Sequence, residues 1–519
     1  MVLGGMLAFP TAAEAAPFCD VARVDGDGGI EAVAGGQGVT LRWHGQGEDK
    51  LFLDLQVRDG APRIARLTVN DVVVLSDTAL QFEVTSGTRR ISNQQLEPLR
   101  KLGVPITQAE VDEHKWDAFW DAPLHLAAPN PDARLEISNQ PPAEGVANQK
   151  GLPRTTDEIV RTPTRYAIRS CDVASEGARV TVTLPGVTAG IFSGAVTLTV
   201  YRDTNLVRAE LVASTDRPSV AYKYDAGLSG MTLGPGGGVS WRDTGGAEQY
   251  SDLAGKANDG NVAIRAANRI MIAQAAGGSA IAAFPPPHTF FWAREIETNV
   301  GNNWYRKDAD GRIAIGIRQA ERELLDEFLA NWALYSAPPG SEQHMALYLY
   351  PVAGDAVLAR DGALAFTRGD RYAPLPGYKV MAHHFHLGMG ERLLASGSLD
   401  TRLRDFDALR GAGIDIAGVT DIFPDQRNPG GPKRIEVMKA YYEGAARMSS
   451  STFLVLPAVE ATNVLGGHWD VLMPHPTLWL ERREAGTPLI DDAGIYHLGN
   501  ADDAIRMIQD RNMLVYMPH

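Results

Sequence analysis

Three of the chain's twelve histidines fall within four residues, His383, His384 and His386, in the run MAHHFHLGMGE. They follow a short apolar stretch, residues 378–381, that reads as a strand. Alternate side chains of a strand share a face, so His384 and His386 are expected to point one way. His383 is expected to point the other way, into packing or a supporting role. Two imidazoles side by side at a strand end suit a divalent zinc, manganese or iron ion.

Groups of matching chemistry recur downstream. Asp421 stands near the end of the apolar run 414–422, and Glu460 near the end of 452–461. His468 follows in the next loop, and His519 ends the stretch that begins at Met513. Singly, each has a plain structural explanation: Asp421 as a cap, His468 as a turn residue after Gly466 and Gly467, His519 as a terminus. Together they recur at the same end of successive strands, and that pattern points to a metal site. Asp421 would ligate or orient a ligand, and Glu460 has two oxygens with which to bridge two ions.

The elements that would position these groups alternate. Leu403, Phe406, Leu409 and Ala412 mark a helical face within 399–412. Val437, Ala440, Tyr441 and Ala445 do the same within 432–448, and 501–511 is a third helix. Strands at 414–422, 452–461, 471–473 and 513–517 lie between and after them. Strand and helix in alternation predict parallel pairing, in an open sheet or a barrel, with chemistry at the carboxyl ends of the strands.

Residues 376–519 resemble the PHP (polymerase and histidinol phosphatase) metallohydrolase superfamily. His384-Phe385-His386 matches its first H-x-H motif, and Glu391 stands where many members carry an acid five residues later. The strand ending Thr420-Asp421, the Pro457–Glu460 motif, Gly467-His468 and Met517-Pro518-His519 match its later motifs in order. The arrangement is similar to the exported or carbaryl-hydrolase-like branch, in which a PHP domain is joined to other modules. The resemblance implies an α/β barrel and a metal-dependent hydrolase, phosphoesterase-type first, acting on another ester or an amide second. It implies His384, His386, Glu391, Asp421, Glu460, His468 and His519 as metal ligands, with Glu460 and Asp421 nearest the chemistry. Two departures stand out. Ile422 occupies the position of a ligating histidine, and the family's final Asp-x-His motif would fall beyond His519, so the barrel is expected to be incomplete within this chain.

Residues 19–375 read as an all-β region of large sandwich type, in one or two modules. Short segments rich in β-branched residues recur at 39–43, 50–57, 65–74, 164–169, 178–184, 195–201, 206–214, 271–284, 289–296, 311–318 and 344–352. Between them are a polar loop at 91–111 with a helical turn at 98–102, a surface excursion at 121–164, a glycine-rich loop at 227–246 and a helix at 319–334. Residues 355–375 connect this region to the next. The aromatic stretches 284–295 and 299–306 would make a sugar-binding platform if exposed, but the sandwich core is the favoured place for them.

Residues 1–18 read either as the end of a secretory signal, with Ala13-Glu14-Ala15 as a cleavage pattern, or as a disordered apolar terminus; the first implies a periplasmic or extracellular protein. Cys19 and Cys171 are then either one disulfide or two separate buried thiols. A length of 519 residues predicts two to four domains, and 44% hydrophobic with 22% charged residues describes a folded chain. The net charge of −14 excludes a nucleic-acid backbone binder. No apolar run reaches the length of a membrane span. The expected partner is a small-molecule or carbohydrate-related substrate. Two other readings stand beside the first: an amidohydrolase, which also opens on H-x-H but for which no strand-end lysine is present, and a secreted carbohydrate-binding protein whose barrel is non-catalytic.

Overall fold

Alternation builds most of this chain. Along Lys50–Arg58 the side chains of Leu51, Leu53, Leu55 and Val57 are buried while their neighbours are not, as a half-buried strand requires. The structure, a computed structural model, describes residues 18–25, 28–88, 160–218, 220–243, 246–253, 255–286, 300–318, 335–421, 423, 431–461 and 469–516. The leader-like residues 1–17, the loop at 91–111, most of the 121–164 excursion, the stretch 287–299 and the helix at 319–334 lie outside the described residues, as do Ile422, His468 and His519.

Two eleven-stranded sheets organise the first part of the chain. One runs from Cys19–Arg23 through Cys171–Glu176 and Gln343–Val352 to Glu248–Ser251. The other runs from Val262–Ala267 through Val220–Met231 and Val72–Thr88 to Ile30–Gly35. Both contribute to one apolar cluster, with Leu53 and Phe82 from one sheet and Val182, Leu198 and Leu347 from the other. Cys19 and Cys171 are register partners in a parallel pair and form a disulfide, with Cα atoms 4.4 Å apart. Among the described residues no helix is long and apolar enough to cross a membrane.

The glycine-rich stretch 227–246 is not one loop. Strands Val220–Met231 and Gly238–Arg242 run through most of it. Gly227 leaves room for Trp304, whose indole lies 2.9 Å from where its Cβ would stand, as Gly316 does at 2.4 Å on another strand. These glycines make room inside a sheet. Trp304 is buried, with Nε1 donating to the Ile317 carbonyl at 3.3 Å, so this aromatic belongs to the core. Within the connector, Asp355 caps the helix Ala356–Thr367 by accepting from the Leu358 N–H.

The last part of the chain forms a five-stranded sheet. Its strands are β1 (Met381–Phe385), β2 (Ile416–Asp421), β3 (Leu454–Ala461), β4 (Trp469–Leu472) and β5 (Leu514–Tyr516), in that order across the sheet. Helices α1 (Met389–Ser396) and α2 (Arg404–Gly411) lie between β1 and β2, α3 (Pro432–Met448) between β2 and β3, and α4 (Ala501–Asp510) before β5. The expected parallel pairing holds for β1–β2 and β2–β3 only, since β3–β4 and β4–β5 are antiparallel. Only residues 462–468 separate β3 from β4, and a parallel return needs a crossover of a dozen residues or more.

The parallel core carries a defect that α3 repairs. Pro457 pairs with Val419 in the middle of the sheet, where proline withholds a ladder donor. The buried Tyr441 hydroxyl enters there from α3. It accepts from the Ala458 N–H at 2.9 Å and lies 2.6 Å from the Val419 carbonyl. Replacing Tyr441 with Phe leaves that N–H buried and unpaired, so a loss of about 1–3 kcal/mol is expected in chemical denaturation.

Candidate metal centre

Strand β1 departs from the alternation that its sequence promises. Its register against β2 shifts between His383 and Phe385, and His384 takes a left-handed backbone with φ of 73°. An extra residue in a strand re-aims the side chains around it. His383 is therefore not turned away from its neighbours, as simple alternation required. Its ring meets Tyr516 edge-on, with centroids 5.0 Å apart, and its Nδ1 lies 3.7 Å from Asp470. Gly418, opposite His383 on β2, permits this packing: a Cβ there would stand 2.6 Å from the His383 Cβ.

The second component is a pair of carboxylates. Glu460 on β3 and Asp470 on β4 are direct register partners, 2% and 0% exposed. Like charges directly opposite each other on a sheet destabilise it, and buried carboxylates need partners. The partners here are imidazoles. Glu460 Oε2 lies 2.9 Å from His386 Nε2 and 3.5 Å from His384 Nε2, and Asp470 Oδ2 lies 3.0 Å from His384 Nδ1. Tyr516 on β5 donates its hydroxyl to the same Asp470 oxygen and also contacts His383 Nδ1. Strands β1 and β5 are opposite edges of the sheet, so these contacts mean that the sheet curls around the cluster.

The hydrogen bonds fix which nitrogen faces where. His386 Nδ1 lies 2.8 Å from the Thr420 carbonyl, which only accepts, so Nδ1 donates there and Nε2 is the nitrogen that faces Glu460. Asp470 acts in the same way on His384. Two imidazole nitrogens and one carboxylate oxygen thus converge, in the pattern that divalent metals with mixed nitrogen and oxygen preference accept. The donor set fits such an ion: opposed buried carboxylates require positive charge, and the outer ring nitrogens are held as metal-ligating histidines usually are. Burial by itself would lower the His384 pKa. The hydrogen bond and charge of Asp470, with the charge of Glu460, outweigh it and raise the group above the ordinary histidine value.

The other expected residues divide. Asp421 lies at the end of β2 beside the site, but its two oxygens accept from the Leu387, Gly388 and Met389 N–H groups at 2.6–2.8 Å. It ties down the turn from β1 into α1 and belongs to neither ligand group. Burial pushes its pKa up, and the three N–H groups oppose that shift. Glu391 is exposed in the first turn of α1, and it too is in neither ligand group among the described residues. Asp470 and Tyr516 were not anticipated, and His383 was expected only in packing or a supporting role on the opposite face. A lone acid inside the apolar segment Trp469-Asp470-Val471-Leu472 is the signal that marks Asp470. Replacing Asp421 with Ala strands three N–H groups at the turn, and a loss of roughly 2–4 kcal/mol is expected in urea unfolding.

No protein-family model matches the chain, and no curated protein matches it. Solved structures give slight likenesses. A GH36 alpha-galactosidase from Geobacillus stearothermophilus aligns over 93% of this chain and 64% of its own, at 10% identity and a TM-score of 0.34. A TPR-domain containing protein from Parabacteroides distasonis aligns over 79% and 64%, at 9% identity and a TM-score of 0.30. A Glycosyl Hydrolase Family 38 protein from Enterococcus faecalis aligns over 61% and 31%, at 9% identity and a TM-score of 0.26. The chain spans less than two thirds of the length of each of these structures, and likenesses of this size carry no argument about activity.

Proposed function

We propose that the chain is a metal-dependent hydrolase of phosphoesterase type. In this reading a large β-sandwich region precedes a PHP-like domain, and the protein is exported, with which the Cys19–Cys171 disulfide is compatible. The observation that carries the proposal is the opposed pair Glu460 and Asp470, buried and faced by imidazoles. His384 Nε2, His386 Nε2 and Glu460 would hold a divalent zinc, manganese or iron ion. Such an ion supplies positive charge that acidifies a neighbouring water and polarises a scissile phosphoester or ester.

The chain's own groups have separable tasks. Asp470 and the Thr420 carbonyl hold the outer ring protons of His384 and His386, and so aim both Nε2 atoms inward. Asp421 fixes the backbone just after His386. His383 is the most exposed of the three histidines and, with Tyr516, forms the rim through which a small substrate would approach. Among the described residues no lysine ends a strand of this sheet, which favours this reading over an amidohydrolase.

Two outcomes test the proposal. The His384→Ala, His386→Ala double variant is expected to lose stoichiometric metal and at least a hundredfold of its turnover of an aryl phosphate while its circular dichroism is unchanged. Equal turnover would sink the assignment. The pH dependence has a defined sign. In the metal-free protein the raised His384 pKa contributes stability that is complete below the ordinary histidine value and is lost as pH rises through the folded value. Protons therefore compete with metal, and affinity measured by calorimetry should climb with pH up to that folded value and then level off.

A further inference from the structure

Helices α1 and α3 border a groove that shares no residue with the histidine–carboxylate cluster. Its volume is about 950 Å³, the size of a small-molecule site. Leu394 and Leu399 line it from α1 and the segment that follows, Ala440 and Tyr442 from α3, and Pro476 and Leu478 from the stretch before the short strand Trp479–Leu480. The Tyr442 hydroxyl is already committed, donating to the Thr477 carbonyl at 2.7 Å, so its ring offers the groove apolar surface only. The lining is therefore largely aliphatic, and an apolar ligand body is what it would take out of water.

One charge in the groove has no acid matched to it. Arg511, directly after α4, lines the groove with its guanidinium 5.4 Å from the centroid of the Tyr496 ring. Its Nε is buried without a hydrogen-bond partner, and among the described residues no carboxylate forms an ion pair with it. Other arginines in this part of the chain are matched: Arg392 to Asp405, Arg447 to Asp400 and Glu443, Arg483 to Asp503. The carboxyl end of α4 makes a cation tolerable at this place, but it leaves the buried Nε unanswered. The other charges of the groove cancel. Glu436 and Lys439 stand one turn apart on α3, and Glu443 is held by Arg447.

We propose that this groove binds an aliphatic carboxylate, whose chain lies along the leucines and whose head meets Arg511. A guanidinium forks onto a carboxylate with two parallel hydrogen bonds, and the Nε–H is one of the donors able to take part. A single negative charge suits the site better than the double charge of a phosphate monoester, because Glu436 and Glu443 stand on its border. The site is independent of any metal bound at the histidines.

Calorimetry on the full chain tests the proposal, with decanoate below its micellar concentration as the probe and circular dichroism as the folding control. Decanoate is expected to bind once per chain, and decyl phosphate more weakly. Arg511→Met keeps an aliphatic stem and removes the charge, so decanoate affinity should fall about tenfold or more while decanol binding is unchanged. Leu394 is 36% exposed, so Leu394→Asp is compatible with folding and should weaken decanoate and decanol alike. Failure of the unaltered protein to bind decanoate would overturn the proposal. Unchanged decanoate affinity in Arg511→Met would do the same, and Leu394→Asp decides in the same way if Arg511→Met does not fold. Tighter binding of decyl phosphate than of decanoate would overturn the choice of a carboxylate. Several equivalent sites per chain would mean adsorption to the surface and would overturn the groove as the site.

Discussion

Glu460 and Asp470 face each other across two neighbouring strands with almost no access to water. Two negative charges in that arrangement repel and are poorly solvated, so the sheet around them is stable only if positive charge is delivered into its interior. The histidines of β1 are the means of delivery. Whether the charge arrives as protonated imidazole or as a metal ion, the requirement is the same, and it explains why three histidines are concentrated on one short strand. Asp470 and Glu460 hold the His384 pKa above the ordinary histidine value, against the burial that lowers it, which favours a proton there.

Delivering that charge constrains the backbone at several points. β1 takes a bulge, and Gly418 opposite it must have no side chain. The turn into α1 is gathered onto Asp421, whose two oxygens occupy three N–H groups and so fix where His386 can stand. Pro457, three residues before Glu460, interrupts the ladder, and Tyr441 fills the interruption from α3. Each device lies within a few residues of a site side chain. The helices behind the sheet pack mainly through apolar side chains such as Leu393, Val437 and Met438, and α3 adds the Tyr441 hydroxyl.

Much of this was readable from the chain alone, for physical reasons. Helix α3 matched its expected limits because proline at its first position and a regular apolar face leave little choice. Strands β2 and β3 were visible as buried parallel strands, which are continuously apolar, and Glu460 stood out as the acid that ends one of them. Asp470 was harder to find, since a single acid in a short strand reads equally as a solvent-facing residue. Its burial depends on β4 turning back against β3. His383 was misplaced because alternation assumes an unbroken strand, and a bulge is decided by pairing with β2. Gly227 looked like a loop former because the indole it accommodates comes from another strand.

The contact between His383 and Tyr516 joins residues 133 positions apart and links the two outer strands of the sheet. Such a contact closes a long loop and so forms late relative to the helices and neighbouring strands, whose partners are local. The cluster is therefore finished only when the last strand docks. During synthesis, the histidines emerge well before Tyr516. The closed arrangement of imidazoles, carboxylates and tyrosine is withheld until the chain has been made through β5, so its appearance would time the completion of this sheet.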